Sequence, residues 1–234
     1  MTVGVFDSGV GGLAALEELR RLRPDLDYLY LADTAWAPYG PLPPERIRER
    51  VEQVGGFLLE AGAEALVVAC NTASAWGAGA LEGLRAPVLE AIGPTRQAAG
   101  REEGTAVWTT AATWRSGVYR GVGEVIPTPL LAPLVEEGHL DDRVAEAVVG
   151  AYLERLPGGT RRLVLGCTHY SFLRPLLSRL APGLALVDSA LALARTAARR
   201  LPPARGRGRL RLLVTSERGA YSRRVGLEAE EVRL

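Results

Sequence analysis

The sequence predicts an α/β chain of two similar halves, each with a mostly parallel sheet, facing a shared cleft. Three observations support this. Short apolar runs alternate with stretches of helical period, and the runs are apolar at successive rather than alternate positions. One local pattern also occurs twice, LVVACNTASAW (66–76) and LVLGCTHYSFL (163–173): apolar strand, small residue, cysteine, polar pair. Alternating strands and helices are the plan of α/β construction, and continuously apolar strands belong to parallel sheets covered on both faces.

In chain order, TVGVF (2–6) is the first strand and Leu13–Arg23 the first helix. DYLYLA (27–32) and a longer helix, Pro44–Ala61, follow, and ALVVA (65–69) leads into the first cysteine. PVLEA (87–91) completes this set, and TAVWTT (105–110) restarts the plan as the counterpart of 2–6. Asp142–Leu156 is helical, RLVLG (162–166) leads into the second cysteine, and LALVD (184–188) precedes the helix Ser189–Arg200. Each cysteine motif follows a helical segment with an aromatic–Leu pair, Phe57-Leu58 and Tyr152-Leu153. PARGRGR (203–209), basic and broken by Gly and Pro, reads as a crossover back to the first half, where RLLVT (211–215) adds a strand. The expected domains are therefore 1–92 plus 206–234, and 93–205.

With 234 residues, 47% of them apolar, and a formal net charge of +1, the chain has ordinary globular composition. Neither nucleic acid nor an anionic membrane surface is expected as a partner. The chain enters a strand at once, with no basic n-region or apolar h-region, and no run approaches the ~18 apolar residues of a membrane span. A cytoplasmic protein is expected. All 28 residues counted as Lys or Arg are Arg, so no lysine can form a pyridoxal phosphate Schiff base or serve a P-loop. Cys70 and Cys167 are the only cysteines, Asn71 is the only asparagine, and His169 is one of 2 histidines. A cytosolic chain of this size needs no disulfide.

Ligands of open parallel sheets bind beyond the carboxyl ends of the strands. Asp7-Ser8, Asp33, Cys70-Asn71-Thr72, Thr110 and Cys167-Thr168-His169 all stand there. Two matched thiols on opposite sides of a cleft suit one chemistry, inversion of a stereocentre. One thiolate removes a proton from carbon while the other thiol delivers one to the opposite face. His169 is placed to tune Cys167 or exchange its proton, whereas His139 belongs to the surface. DSGVGG, CNTAS and CTHYS are strand-to-helix turns suited to anions. The amides and hydroxyls of Ser8, Asn71, Thr72 and Thr168 could hold carboxylates, and Asp7 an ammonium group. The plainer alternatives are a helix cap at Asp7-Ser8 and a Pro-rich turn at Tyr39-Gly40.

GVFDSGVGGL, ADTAWAPYG, ACNTASA, TWRSGVY, APLVEEG and GCTHY, in this order, resemble the motifs of glutamate racemases in the cofactor-independent aspartate/glutamate racemase superfamily. The resemblance implies two α/β domains related by a pseudo-dyad, with the active site between them. It implies interconversion of L- and D-glutamate without pyridoxal phosphate or metal, supplying D-glutamate for peptidoglycan, by a homodimer. Cys70 would then exchange the proton on the D-isomer's side and Cys167 on the L-isomer's side. Asp7, His169 and Glu136 would assist. Asp7, Ser8, Tyr39, Gly40, Asn71, Thr72, Thr110, Thr113, Thr168 and His169 would bind substrate. Related aspartate racemases tend to carry Glu where this chain has His169, which favours glutamate. Members activated by a peptidoglycan precursor have an N-terminal extension that is not seen here, so no such activation is expected. Departures from the pattern are Thr109, Trp36-Ala37, Ser171-Phe172 and a weak match after Thr215. The alternatives are an aspartate or other amino-acid racemase, a one-thiol Cys–His hydrolase, a non-enzymatic binding protein, and a dinucleotide enzyme. The last rests on Gly9-x-Gly11-x-x-Ala14 and Asp33.

Overall fold

A computed structural model describes residues 1–234. The chain begins with β1 (Thr2–Asp7), α1 (Leu13–Leu22), β2 (Asp27–Ala32), α2 (Pro44–Glu60) and β3 (Ala65–Val68). It continues through α3 (Asn71–Gly77), β4 (Val88–Glu90), α4 (Ile92–Ala99), β5 (Thr105–Thr109), α5 (Ala111–Ser116), β6 (Glu124–Pro127) and α6 (Leu131–Glu136). Then come α7 (Arg143–Leu153), β7 (Arg162–Gly166), a 3-10 turn at Thr168–Leu173, α8 (Arg174–Leu180), β8 (Ala185–Asp188) and α9 (Ser189–Arg200). The last elements are β9 (Leu210–Val214), α10 (Arg218–Val225) and β10 (Glu230–Glu231).

Two sheets form, one of 6 strands in the order β10-β9-β2-β1-β3-β4 and one of 4 in the order β6-β5-β7-β8. Every strand pair is parallel. In each sheet the first strand in sequence (β1 or β5) is an inner strand, flanked by a later strand on either side. The strand order therefore reverses beside it, and a crevice opens at its carboxyl end. The segment 203–209 carries no regular structure and returns the chain to the first sheet, where β9 pairs with β2 from Tyr28↔Leu210 to Ala32↔Val214.

The inner strands are buried on both faces, which is why they read as unbroken apolar runs: all 4 residues of β3 and all 5 of β5 are buried. Side chains start several of the helices. Asp142 caps α7 by accepting from the amides of Val144 and Ala145, and Asp188 caps α9 through Ala190 and Leu191. Pro44 begins α2, where a missing N–H costs nothing. One apolar cluster runs from Val3 and Val5 of the first sheet to Trp108 and Leu163 of the second, so the halves share packing. Both cysteines are free and buried. His139 is exposed and pairs with Asp142 at 2.6 Å. No helix is long and apolar enough to cross a membrane.

Candidate active site

Four strand ends supply the site. Asp7 closes β1, Cys70 follows β3, Thr110 follows β5 and Cys167 follows β7. Cys70 is itself the cap of α3, its Sγ accepting the Ala73 amide at 3.5 Å. Thr110 caps α5 through the Thr113 amide at 3.2 Å. Cys167 instead opens the 3-10 turn, which places His169 beside it.

A cavity of about 240 Å³ lies between these ends, and both thiols line it. Ser8, Tyr39, Gly40, Thr72, Thr110 and His169 complete the part of the wall anticipated from the sequence. Thr128, Pro129, Ala132 and Pro133 form an apolar wall that residue-by-residue reading missed, although APLVEEG (132–138) had marked the segment.

Four side chains expected at the substrate lie one layer further back. Asp7 is fully buried, its carboxylate accepting from the Gly9 amide and the Thr168 hydroxyl, both at 2.9 Å. Asn71 donates to the Tyr119 hydroxyl at 2.8 Å and accepts from Ser189 at 3.1 Å, so its amide ties α3 to the second half. Thr113 is buried and bridges to Thr110 and Thr72, at 3.0 and 3.2 Å. The side chains of Asp7, Asn71, Thr113 and Thr168 are therefore engaged with protein partners and do not line the cavity.

The two thiols stand in different surroundings. Cys70 Sγ is 3.7 Å from the Ser8 hydroxyl, and burial, with the Asp7 charge adding to it, pushes its pKa up to about 12. It is therefore the thiol at neutral pH when the site is empty. Cys167 Sγ is 3.7 Å from His169 Nδ1, and His169 Nε2 is 2.6 Å from Glu136 Oε1. Burial alone would lower the histidine, but hydrogen bonds to Cys167 and Glu136 and the nearby charges raise it well above its ordinary value. These contacts favour the protonated ring. Burial would raise Glu136, yet the bond to His169, the Val10 amide and Arg224 hold it below the usual carboxylate value. Asp7 is raised by burial, against the opposing pull of His169 and its two hydrogen bonds.

The glycines of DSGVGG serve close packing. A Cβ on Gly11 would lie 2.5 Å from Thr168 Oγ1 and 2.6 Å from His169 Nδ1, and one on Gly12 would lie 2.5 Å from Asp7 Cβ. Only glycine lets this loop approach the second cysteine motif so closely. Asp33 is equally committed, accepting from Arg50 at 2.6 and 2.8 Å, Tyr39 at 2.5 Å and Thr215 at 2.8 Å. Neither Gly11 nor Asp33 is free to serve as a dinucleotide fingerprint. Asp33 instead anchors the Tyr39-Gly40 wall of the cavity. No group of three or more His, Cys, Asp or Glu side chains is placed to hold a metal ion.

The family model of Asp/Glu/Hydantoin racemases matches residues 14–197, which hold both cysteine motifs. The chain belongs to this racemase family. A glutamate racemase of Thermus thermophilus is 44% identical to it, over 99% of this chain and 95% of the relative. The crystal structure of glutamate racemase from Thermus thermophilus in complex with beta-chloro-D-alanine superposes with a TM-score of 0.90 at 42% identity. That match covers 100% of this chain and 97% of the other. The Francisella tularensis glutamate racemase, solved in complex with D-glutamate, gives a TM-score of 0.86 at 25% identity, covering 99% and 97%. These racemases share the two-sheet α/β fold described above.

Proposed function

We propose that the protein interconverts L- and D-glutamate, with Cys70 and Cys167 exchanging the α-proton from opposite faces and with no cofactor. The observation that carries this reading is that both thiols line one cavity, each with its own supporting groups. Starting from L-glutamate, the Cys167 thiolate takes the α-proton and the Cys70 thiol delivers its own proton to the other face. The cysteines end with exchanged protonation, ready for D-glutamate. The His169 imidazolium supports the thiolate of Cys167. The Ala73 amide and Ser8 hydroxyl face Cys70 Sγ and support its thiolate in the reverse direction. Ser8, Tyr39, Gly40, Thr72 and Thr110 are the polar groups offered to the substrate. Asp7, Asn71, Thr113 and Thr168 hold them in place.

On the same reading the protein is a cytoplasmic homodimer that supplies D-glutamate for peptidoglycan. Its two lobes are 1–92 with 206–234, and 93–205. The test is circular dichroism of purified, chelator-dialysed protein with each enantiomer of glutamate and of aspartate. Both glutamate signals are expected to decay to zero while both aspartate signals persist. Glutamate signals that stay constant would overturn the assignment, and decay of aspartate at a comparable rate would overturn the substrate choice.

A further inference from the structure

Glu136 is held at three points. Its Oε1 accepts the Val10 amide at 3.1 Å and faces His169 Nε2 at 2.6 Å. Its Oε2 takes the guanidinium of Arg224 at 2.5 Å. Val10 comes from the loop after β1, Glu136 ends α6, and Arg224 stands on α10, reached only after the crossover at 203–209. Tyr221, three residues before Arg224, is 3% exposed and lies in the same apolar cluster as Val10, Leu16 and Tyr30. The helix is thus seated by Tyr221 and delivers Arg224 to a carboxylate belonging to the other sheet's half. Arg224 does not line the cavity.

We propose, resting on the racemase reading, that Arg224 is a positioning residue that fixes the Glu136 carboxylate and, through it, the His169 ring facing Cys167. An imidazolium with donors at both nitrogens needs an acceptor on each side. Glu136 meets the Nε2 side only in the rotation that keeps Oε1 toward His169. A guanidinium on Oε2 selects that rotation, and without it the carboxylate is free to turn and His169 to swing from Sγ. Arg224 is 40% exposed, so its pairing with Glu136 adds little to stability and the contact matters for geometry. Seating of the C-terminal helix thereby becomes a condition for proton transfer on the Cys167 side.

The charged and titratable groups around this chain are Cys167, Asp7 and Glu136 about His169, with Arg224 beyond Glu136. Tyr30 and Tyr221 stand nearby and are neutral, their ionisation pushed up by burial. Arg224 lowers the ionisation point of Glu136, so removing the cation raises it. Glu136 is then protonated earlier as pH falls, and the acidic limb of kcat moves to higher pH.

The test compares wild type, Arg224→Ala, Arg224→Lys and Arg223→Ala with both enantiomers across pH, with thermal melts as a check on folding. Arg223 is exposed on the same helix and makes no contact with Glu136. For Arg224→Ala, kcat is expected to fall by about 10-fold, the scale of a small misplacement of a catalytic group. KM should change little and the acidic limb should move up. Lysine should restore most of the rate, and Arg223→Ala should match wild type. If the alanine variant melts early, Arg224→Gln takes its place in the comparison. A wild-type rate and pH profile in the Arg224 variant, or an equal loss in Arg223→Ala, would overturn the proposal. Wild-type protein inert to glutamate would overturn the racemase reading instead.

Discussion

Cys70→Ser is expected to lower glutamate racemisation by about 10³-fold, within the range by which a positioned acid or base accelerates proton transfer. The hydroxyl keeps the shape of the thiol but neither ionises near neutral pH nor releases its proton as readily. The equilibrium constant of a racemisation is one, so kcat/KM must fall equally from L- and from D-glutamate, although the lost group touches only one face. The asymmetry should appear in isotope exchange. With Cys70 replaced, Cys167 can still lift the α-proton of L-glutamate and return a deuteron from D2O to the same face. L-glutamate is then labelled without inversion while D-glutamate is not, and Cys167→Ser reverses the pattern. Chiral chromatography with mass spectrometry reads both quantities. Labelling of both enantiomers by either variant would contradict the assignment of one thiol to each face.

The second large effect belongs to a residue far from the chemistry. Arg50→Ala is expected to destabilise the fold by about 3–5 kcal/mol, because it leaves the carboxylate of Asp33 buried without its cation. Asp33 is fully buried and loses two of its four donors, at 2.6 and 2.8 Å. At this chain length the melting temperature should drop by about 10 °C or more. Arg50→Met with Asp33→Leu should recover most of the stability, since an apolar pair removes the stranded charge. It should not recover activity, because the Tyr39 hydroxyl loses its partner and the Tyr39-Gly40 wall its anchor. Urea unfolding and steady-state kinetics on the single and double variants separate the two effects. A loss below about 1 kcal/mol in Arg50→Ala would place the pair among ordinary surface contacts.

These two cases mark what could be read from the chain. The thiols were legible because the same strand–cysteine pattern occurs twice, and His169 because it stands two places from one of them. Strands were legible because burial on both faces removes polar residues from them, as in ALVVA (65–69). The helices α3, α5 and α6, of 7, 6 and 6 residues, span two turns or fewer, too short for a 3.6-residue period to register. Arg50 and Arg224 were illegible for another reason. An arginine on an amphipathic helix normally faces water, and their partners lie 17 and 88 residues away. Asp33 was noticed for its place after a strand, but only the approach of Arg50, Tyr39 and Thr215 shows that it anchors a wall rather than meeting a ligand. Asp7 and Asn71 were correctly placed at strand ends, yet the direction of their side chains depends on Thr168, Tyr119 and Ser189, which come from the other half.

The most direct test of two-thiol inversion is the wild-type protein in D2O, started separately from L- and from D-glutamate and stopped at low conversion. The α-position of both the product and the recovered substrate is then read by mass spectrometry. Two thiols acting from opposite faces should give product that carries solvent deuterium and recovered substrate that keeps its original proton. Product that retains the substrate's own proton would mean one base serving both faces, and the pairing of Cys70 with Cys167 would be wrong.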